Sequence, residues 1–388
     1  MCIRDRFMRL QSSLKNWKIS KFLTNKSYFF SRKKILKHLP KSIIDKAYYS
    51  ISKWNRYYKT PLIKLNKLSN ELNLGNVFYK DESKRFGLKS FKALGGAYAV
   101  KVISKNNKKI IVSSATAGNH GRSVAWGAKR LGLKCNIFVS QNVSKNRANS
   151  IRELGANVHL VKGNYENSLK ECKKQSIKNN WKIIQDVSTK NYKYIPQLTM
   201  AGYSLMIKET SVQTNKYITH IFLQAGVGGM AAGVVAGVAR YFKRIPKIII
   251  IEPDNAACVL KSIQNGKMTK IIIKKESIMG GMSCNEMSLI PWKILKDATN
   301  YCLTISDNKI PEAVTLLAKK FFSDNKIIAG ECSAPSVISL ISVCNQKNIR
   351  KKIGLDKSSN VLLIGCEGNV DSNLYNKLYS RGKKRLKI

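Results

Sequence analysis

From about Lys108 onward, short β-branched runs alternate with stretches whose apolar residues recur at helical spacing. The runs are Ile110 to Ser113, Cys135 to Val139, Val158 to Val161 and Ile183 to Gln185, each about as long as a buried strand. Between them, Val124, Ala128 and Leu131, and then Ala148, Ile151 and Leu154, share one face of a helix. This is the rhythm of a parallel sheet covered by helices. A second set opens with Tyr217 to Ala225, passes through a Gly- and Ala-rich helix to Tyr241, and continues with Lys247 to Glu252 and Val361 to Gly365. The segment before Lys92, which contains Thr60-Pro61-Leu62, is assigned to this later half, so the chain crosses over and returns. The expected fold class is α/β, with two domains that each carry a mostly parallel sheet flanked by helices. The boundaries expected are a basic N-terminal extension over 1–40, a discontinuous large domain over 41–97 and 206–388, and a small domain over 98–205.

Composition narrows this picture. A chain of 388 residues with 44% hydrophobic content is long enough to bury a core in each of two domains. The most apolar stretch, Ala225 to Ala239, is shorter than the about 18 to 20 residues that span a bilayer, and it reads as a buried helix. A formal charge of +48 raises the question of nucleic acid or an anionic surface. The lysines are spread along the whole chain, however, without a finger spacing or stacking motif, so neither specific nucleic acid nor a membrane is an expected partner. The nine cysteines form no C-x-x-C pair and have no closely spaced His, which argues for free thiols in a reducing compartment and for no metal site. Between Asp5 and Asp45 there is no acidic residue. That segment reads as a frayed basic extension or, alternatively, as an organelle-targeting segment.

Three segments carry chemistry. In KDESKRFGLKSFKALGGAYA, Lys80 to Ala99, Lys92 stands just before an expected helical run. A lysine sheltered by apolar neighbours at a helix end loses its proton more easily, as imine formation with an aldehyde requires; a solvated surface charge is the plain alternative. In SATAGNHGRSVAWGAKRLG, Ser114 to Gly132, small residues and glycines follow a strand and open a helix whose amides suit an anion. There Asn119 can present its amide to a ring oxygen, and His120 reads more readily as structural than as catalytic. In QAGVGGMAAG, Gln224 to Gly233, a Gly-rich turn between strand and helix suits a phosphate or, equally, a tight packing turn. The Lys-Ser/Thr ending of an ATP-binding loop is missing.

Taken together and in this order, the SFK lysine, the AGNHG loop and the GVGG turn resemble the tryptophan synthase β family, the fold type II pyridoxal phosphate enzymes. KDES-RFGL-FKALGG, GNHGR-VAW-A--LG, IIIEPDNAACVLKSIQNGK at Ile249 to Lys267 and IMGGMSCNEMSLIPW at Ile278 to Trp292 are similar to the diaminopropionate ammonia-lyase family within it. The likeness runs over about Lys41 to Tyr379.

The resemblance implies a cytoplasmic homodimeric carbon-nitrogen lyase that carries pyridoxal 5'-phosphate and eliminates ammonia from 2,3-diaminopropionate to give pyruvate. Lys92 is then the cofactor lysine and the base for the Cα proton. Gly226, Val227, Gly228, Gly229 and Met230 hold the phosphate, Asn119 meets the ring hydroxyl, and Cys366 lies beside the pyridine nitrogen. The loop Ala115, Thr116, Ala117, Gly118 and Asn119 takes the substrate carboxylate, and Asp186 recognises the substrate amine; a loop-capping role is the alternative for Asp186. Three departures bear on the substrate. Ala117 stands where the family writes an aspartate linked to the D-isomer, which implies the L-substrate; Lys89-Ser90 replaces Asn-Ala; and GECSA replaces GESGA. The first two lean toward an L-serine or L-threonine dehydratase, which is the alternative function. A basic nucleic-acid-binding protein on a degenerate enzyme fold is the remaining one.

Overall fold

A computed structural model of the chain describes residues 14–116 and 118–388. Its strands are β1 Lys21–Thr24, β2 Leu62–Lys64, β3 Asn76–Asp81, β4 Val112–Ala115, β5 Cys135–Ser140, β6 Asn157–Val161, β7 Lys182–Ile183, β8 His220–Gln224, β9 Lys247–Pro253, β10 Tyr301–Ile305 and β11 Asn360–Gly365. They form a 7-stranded sheet in the order β1-β10-β9-β8-β11-β3-β2 and a 4-stranded sheet in the order β6-β5-β4-β7. The smaller sheet is parallel throughout. The larger one is parallel inside and closes on each side with an antiparallel strand, β1 against β10 and β2 against β3. As the crossover expectation required, β2 and β3 share this sheet with β8 to β11.

Interior strands read as unbroken apolar runs because helices cover both of their faces. In β9, Ile248, Ile249, Ile250 and Ile251 are all 0% exposed. Each such side chain contributes about 1.5 to 3 kcal/mol by leaving water. The Gly- and Ala-rich stretch forms a helix at Gly229–Tyr241 whose glycines let its neighbours approach closely. A Cβ on Gly233 would lie 2.6 Å from the Met200 carbonyl oxygen, and one on Gly237 would lie 3.0 Å from that of Ser204. Among the described residues, no helix is long and apolar enough to cross a membrane.

Both sheets reverse strand order once, and the loops at those reversals build the cleft. In the smaller sheet the order changes between β4 and β7; in the larger it changes between β8 and β11. The carboxyl ends of the strands at such a switch point leave a crevice where ligands bind. β4 leads into Thr116–Asn119, β7 into Asp186, β8 into the Gly-rich turn and β11 into Cys366.

The expected frayed extension over 1–40 is corrected for residues 14–40; residues 1–13 lie outside the described residues. Trp17 is 0% exposed, β1 pairs with β10, and Arg32–His38 is a helix. Arg32 donates to the carbonyls of Val238, Ala239, Phe242 and Lys243 and so satisfies the end of the Gly229–Tyr241 helix. Apolar anchors at Trp17, Ile35 and Leu39 hold this basic segment in place despite its charge.

Candidate active site

The cofactor lysine expected from the sequence lies at the first position of the helix Lys92–Ser104. Its segment is pinned to the end of β11: the Phe91 amide donates to the Cys366 carbonyl at 2.9 Å, the Gly368 amide donates to that of Lys89 at 2.9 Å, and Ser90 bridges Glu367. Lys92 and Cys366 are thereby held side by side. Lys92 Nζ meets Asp186 Oδ2 at 2.5 Å and lies 5.6 and 5.8 Å from the ring centres of Phe91 and Tyr203.

This contact reverses one expectation. Burial alone would lower the lysine's pKa, but the Asp186 carboxylate outweighs it and the ammonium is stabilised. Asp186 is held well below the usual carboxylate range: burial opposes ionisation, and His120 and Lys92 overcome it. The loop after Asp186 is fixed from the far side of the cleft. The Ser188 amide donates to Ser288 Oγ at 2.7 Å, the Ile290 amide donates to Ser188 Oγ at 2.8 Å, and the Ser288 amide donates to the Val227 carbonyl at 2.9 Å. The loop after Asp186 and the Gly-rich turn are therefore tied through one serine pair.

That turn, Gly226 to Gly229, opens the Gly229–Tyr241 helix without a side-chain cap, leaving its first amides available to an anion. Two glycines are required there. Gly228 has φ +92, and a Cβ on Gly226 would lie 2.8 Å from the Gly281 carbonyl oxygen and 2.9 Å from Cys284 Sγ. A Cβ on Gly229 would meet nothing within 4 Å, so the helix end faces the open cleft. The loop before Asn119 has the same character: the helix Asn119–Leu131 has no side-chain cap, and Thr116 Oγ1 accepts from the Gly118 amide at 3.2 Å. Cys366 is 3% exposed and 3.5 Å from Ser333 Oγ. Burial pushes its thiol well above the ordinary range, so it offers the neutral partner that a pyridine nitrogen needs.

These groups line a single cleft of about 1550 Å³. Lys92, Thr116, Gly118, Asn119, Asp186, Gly226, Val227, Gly228, Gly229, Met230 and Cys366 all face it. Ala115 does not. It ends β4 with its side chain packed near Phe138 and Cys172, and its carbonyl accepts from Gln185 Nε2 at 3.3 Å. Of the loop expected to take the substrate carboxylate, Thr116, Gly118 and Asn119 reach the cleft, and Ala117 lies outside the described residues.

Glu367 was not singled out from the sequence. Its Oε2 accepts from Asn119 Nδ2 at 2.6 Å and its Oε1 from the Cys332 amide at 3.1 Å, so it fixes the amide side chain expected to meet a ring hydroxyl. The Asn119 Oδ1 is left buried without a partner, a vacancy in its hydrogen bonding that a ring hydroxyl can fill. Beside it Glu331 is pushed up to about 8 by burial and by Glu367. Glu331, Cys332 and Glu367 bring ligand atoms within 4.8 Å of one another, but acidic groups gathered in this way do not by themselves make a metal centre. The sequence signal for Glu367 was its place directly after Cys366.

A family model described as pyridoxal-phosphate dependent enzyme matches residues 54–367. Diaminopropionate ammonia-lyase from Escherichia coli (strain K12) is 31% identical over 352 residues, which cover 84% of this chain and 88% of that protein. Its counterpart from Salmonella typhimurium is 32% identical over 360 residues, covering 84% and 89%. The crystal structure of the Escherichia coli enzyme in complex with D-serine superposes with a TM-score of 0.87 at 29% identity, over 95% of this chain and 99% of that one. Its complex with an aminoacrylate-PLP azomethine reaction intermediate gives a TM-score of 0.85. L-threonine dehydratase from Haemophilus influenzae is 34% identical over 217 residues, but these cover only 55% of this chain and 39% of the dehydratase. Lysine, glycine cradle, amide and neutral thiol thus meet in one cleft of a chain that belongs to the pyridoxal-phosphate dependent enzyme family, within its diaminopropionate ammonia-lyase branch.

Proposed function

We propose that the chain eliminates ammonia from L-2,3-diaminopropionate, giving pyruvate and a second ammonia, with Lys92 and Asp186 as the groups that act on the substrate. The observation that carries this reading is the Lys92–Asp186 contact at 2.5 Å, in the same cleft as an uncapped glycine turn. Gly226, Val227, Gly228, Gly229 and Met230 hold the cofactor phosphate, Asn119 the ring hydroxyl and Cys366 the ring nitrogen. Bound there, pyridoxal phosphate supplies an electron sink for the carbon that bears the substrate's amino group. A neutral thiol at the ring nitrogen keeps that sink moderate, which favours loss of a β-substituent over longer-lived carbanion chemistry.

The chain's own groups do the rest. Amides of the Thr116–Asn119 loop take the substrate carboxylate. With cofactor and substrate in place, Lys92 would remove the Cα proton, and Asp186 makes the amine a stronger base by stabilising the ammonium it becomes. Asp186 also attracts the substrate's side-chain ammonium, which departs as neutral ammonia and needs no further proton. The family writes an aspartate linked to the D-isomer where this sequence has Ala117, whose methyl group cannot accept a proton, which supports the L-isomer. The same reading takes the protein to be a cytoplasmic homodimer. Every described cysteine is free, in keeping with a reducing compartment, and light scattering of the purified chain tests the dimer.

Pyruvate release from L- and D-diaminopropionate, L-serine and L-threonine tests the reading. The expected order has L-diaminopropionate ahead by about tenfold or more in kcat/KM, a margin of about 1.4 kcal/mol. Oxo-acid release led by serine or threonine would assign the same cofactor site to a dehydratase.

A further inference from the structure

We propose that Tyr203 is a positioning residue for the base: its hydroxyl oxygen accepts one N–H of the neutral Lys92 amine while Asp186 accepts the other, which turns the nitrogen lone pair toward the substrate. The inference rests on Lys92 being the group that removes the Cα proton.

Tyr203 ends the helix Tyr194–Tyr203 and is 1% exposed. Two glycines make room for it. A Cβ on Gly95, one turn along the Lys92–Ser104 helix, would lie 2.5 Å from Tyr203 Cε1 and 2.7 Å from its Cζ. A Cβ on Gly233, in the helix opened by the Gly-rich turn, would lie 2.9 Å from Tyr203 Cβ. Phe91 packs edge-on against the ring, with centres 4.7 Å apart. A phenol oxygen lies on the axis of its ring, so a ring wedged in this way fixes the oxygen too.

That oxygen is costly where it stands. It is buried without a hydrogen-bond partner, and a phenylalanine would fill the same slot with no unpaired polar group. Burial pushes the phenol up, so it keeps its hydrogen, and the charges acting on it are those of Lys92 and Asp186. Lys92 Nζ lies 5.8 Å from the ring centre. No hydrogen bond joins the two while Nζ rests on Asp186 Oδ2 at 2.5 Å. The flexible lysine stem can close the gap, whereas the wedged tyrosine cannot move.

An amine that acts as a base has two N–H bonds and one lone pair. With a single acceptor it still turns about that contact; with two, the lone pair has one direction, and alignment of this kind lowers the barrier to proton removal. Asp186 is the first acceptor. Cys284, which also acts on the Lys92 charge, offers only a weak sulfur acceptor. The Tyr203 oxygen is fixed in place and has its bonding unfilled. When the proton moves, the Cα–H bond breaks with its electron pair left to Cα, a new N–H bond forms from the lone pair, and the resulting ammonium keeps both acceptors.

Tyr203→Phe keeps the ring and removes the oxygen. The variant is expected to fold, to raise the Tm of the cofactor-free protein by about 1 to 3 °C, and to bind pyridoxal phosphate as the wild type does. Proton removal is read in a single turnover as tritium released to water from L-diaminopropionate labelled at Cα. Its rate is expected to fall about 10- to 100-fold in the loaded variant, with substrate affinity unchanged, because alignment counts only as the proton moves. An unchanged rate of release, a loss confined to substrate affinity, or a variant that is less stable or does not fold would each overturn the proposal. Failure of the underlying reading shows in other samples: wild type that releases no tritium, or release that survives Lys92→Ala.

Discussion

Lys92 and Asp186 hold each other's charge in a cleft where they are 24% and 18% exposed. The raised lysine contributes stability that is present below its unfolded value of about 10.4 and is lost as pH rises through its folded value. The depressed aspartate contributes stability that is present above its unfolded value of about 3.9 and is lost as pH falls through its folded value. Cofactor-free protein therefore keeps this contribution across the neutral range. Asp186→Asn leaves the ammonium without its partner and is expected to cost about 1 to 3 kcal/mol in urea unfolding at neutral pH. Lys89 offers a test of the opposite sign. It is exposed, with φ 59, a left-handed conformation that asparagine adopts more readily. Lys89→Asn is expected to stabilise the protein by about 0.5 kcal/mol in the same experiment. At this scale the residue types and their order singled out Lys92, Asn119 and the glycine turn, the family resemblance added Asp186 and Cys366, and all of them line one cleft. They did not reveal that Asp186 governs the Lys92 proton, because the two residues are 94 positions apart and only the fold brings them together. The inward packing of Ala115 was hidden for a related reason: alternation along β4 decides it, and the strand begins two residues later than its apolar run suggests.

Among the elements, buried interior strands were legible because covering both faces leaves unbroken apolar runs. The edge strands were not. β1 is Lys-Phe-Leu-Thr and β2 only Leu-Ile-Lys, short and partly polar as edges tend to be. Ends of elements also carry the site's chemistry. Glu252, 0% exposed at the end of β9, accepts from the Val259 and Leu260 amides at 2.7 and 2.8 Å and so caps the Cys258–Asn265 helix. Removing it in Glu252→Ala leaves two buried donors unpaired and is expected to cost about 2 kcal/mol of stability. Burial pushes Glu252 up to about 8. An acid raised in the folded state contributes stability that is lost as pH rises from its unfolded value of about 4.3 through the folded one. Stability measured from pH 5 to pH 8 should therefore fall less steeply in Glu252→Gln than in the wild type.

Over the whole molecule, two sheets of unequal size present their switch points to one cleft, and the Ser188–Ser288 pair ties loops from both sides together. The recurring strand and helix pattern was enough to identify two parallel α/β sheets. The docking of the basic N-terminal segment was not legible, because it depends on scattered anchors such as Trp17 and Arg32 whose partners lie hundreds of residues away. The net charge of +48 acts at this scale too. It attracts an anionic cofactor over a distance that salt shortens, the Debye length falling from about 10 Å at 0.1 M to about 3 Å at 1 M. Stopped-flow measurement of pyridoxal phosphate association should show a rate that drops with added salt.

The most direct test of the account is to reduce the loaded protein with borohydride and map the attached cofactor by peptide mass spectrometry. In a chain with 70 lysines and arginines, attachment is expected at Lys92 and is expected to be lost in Lys92→Ala. Attachment at another lysine, or unchanged labelling of the variant, would contradict it.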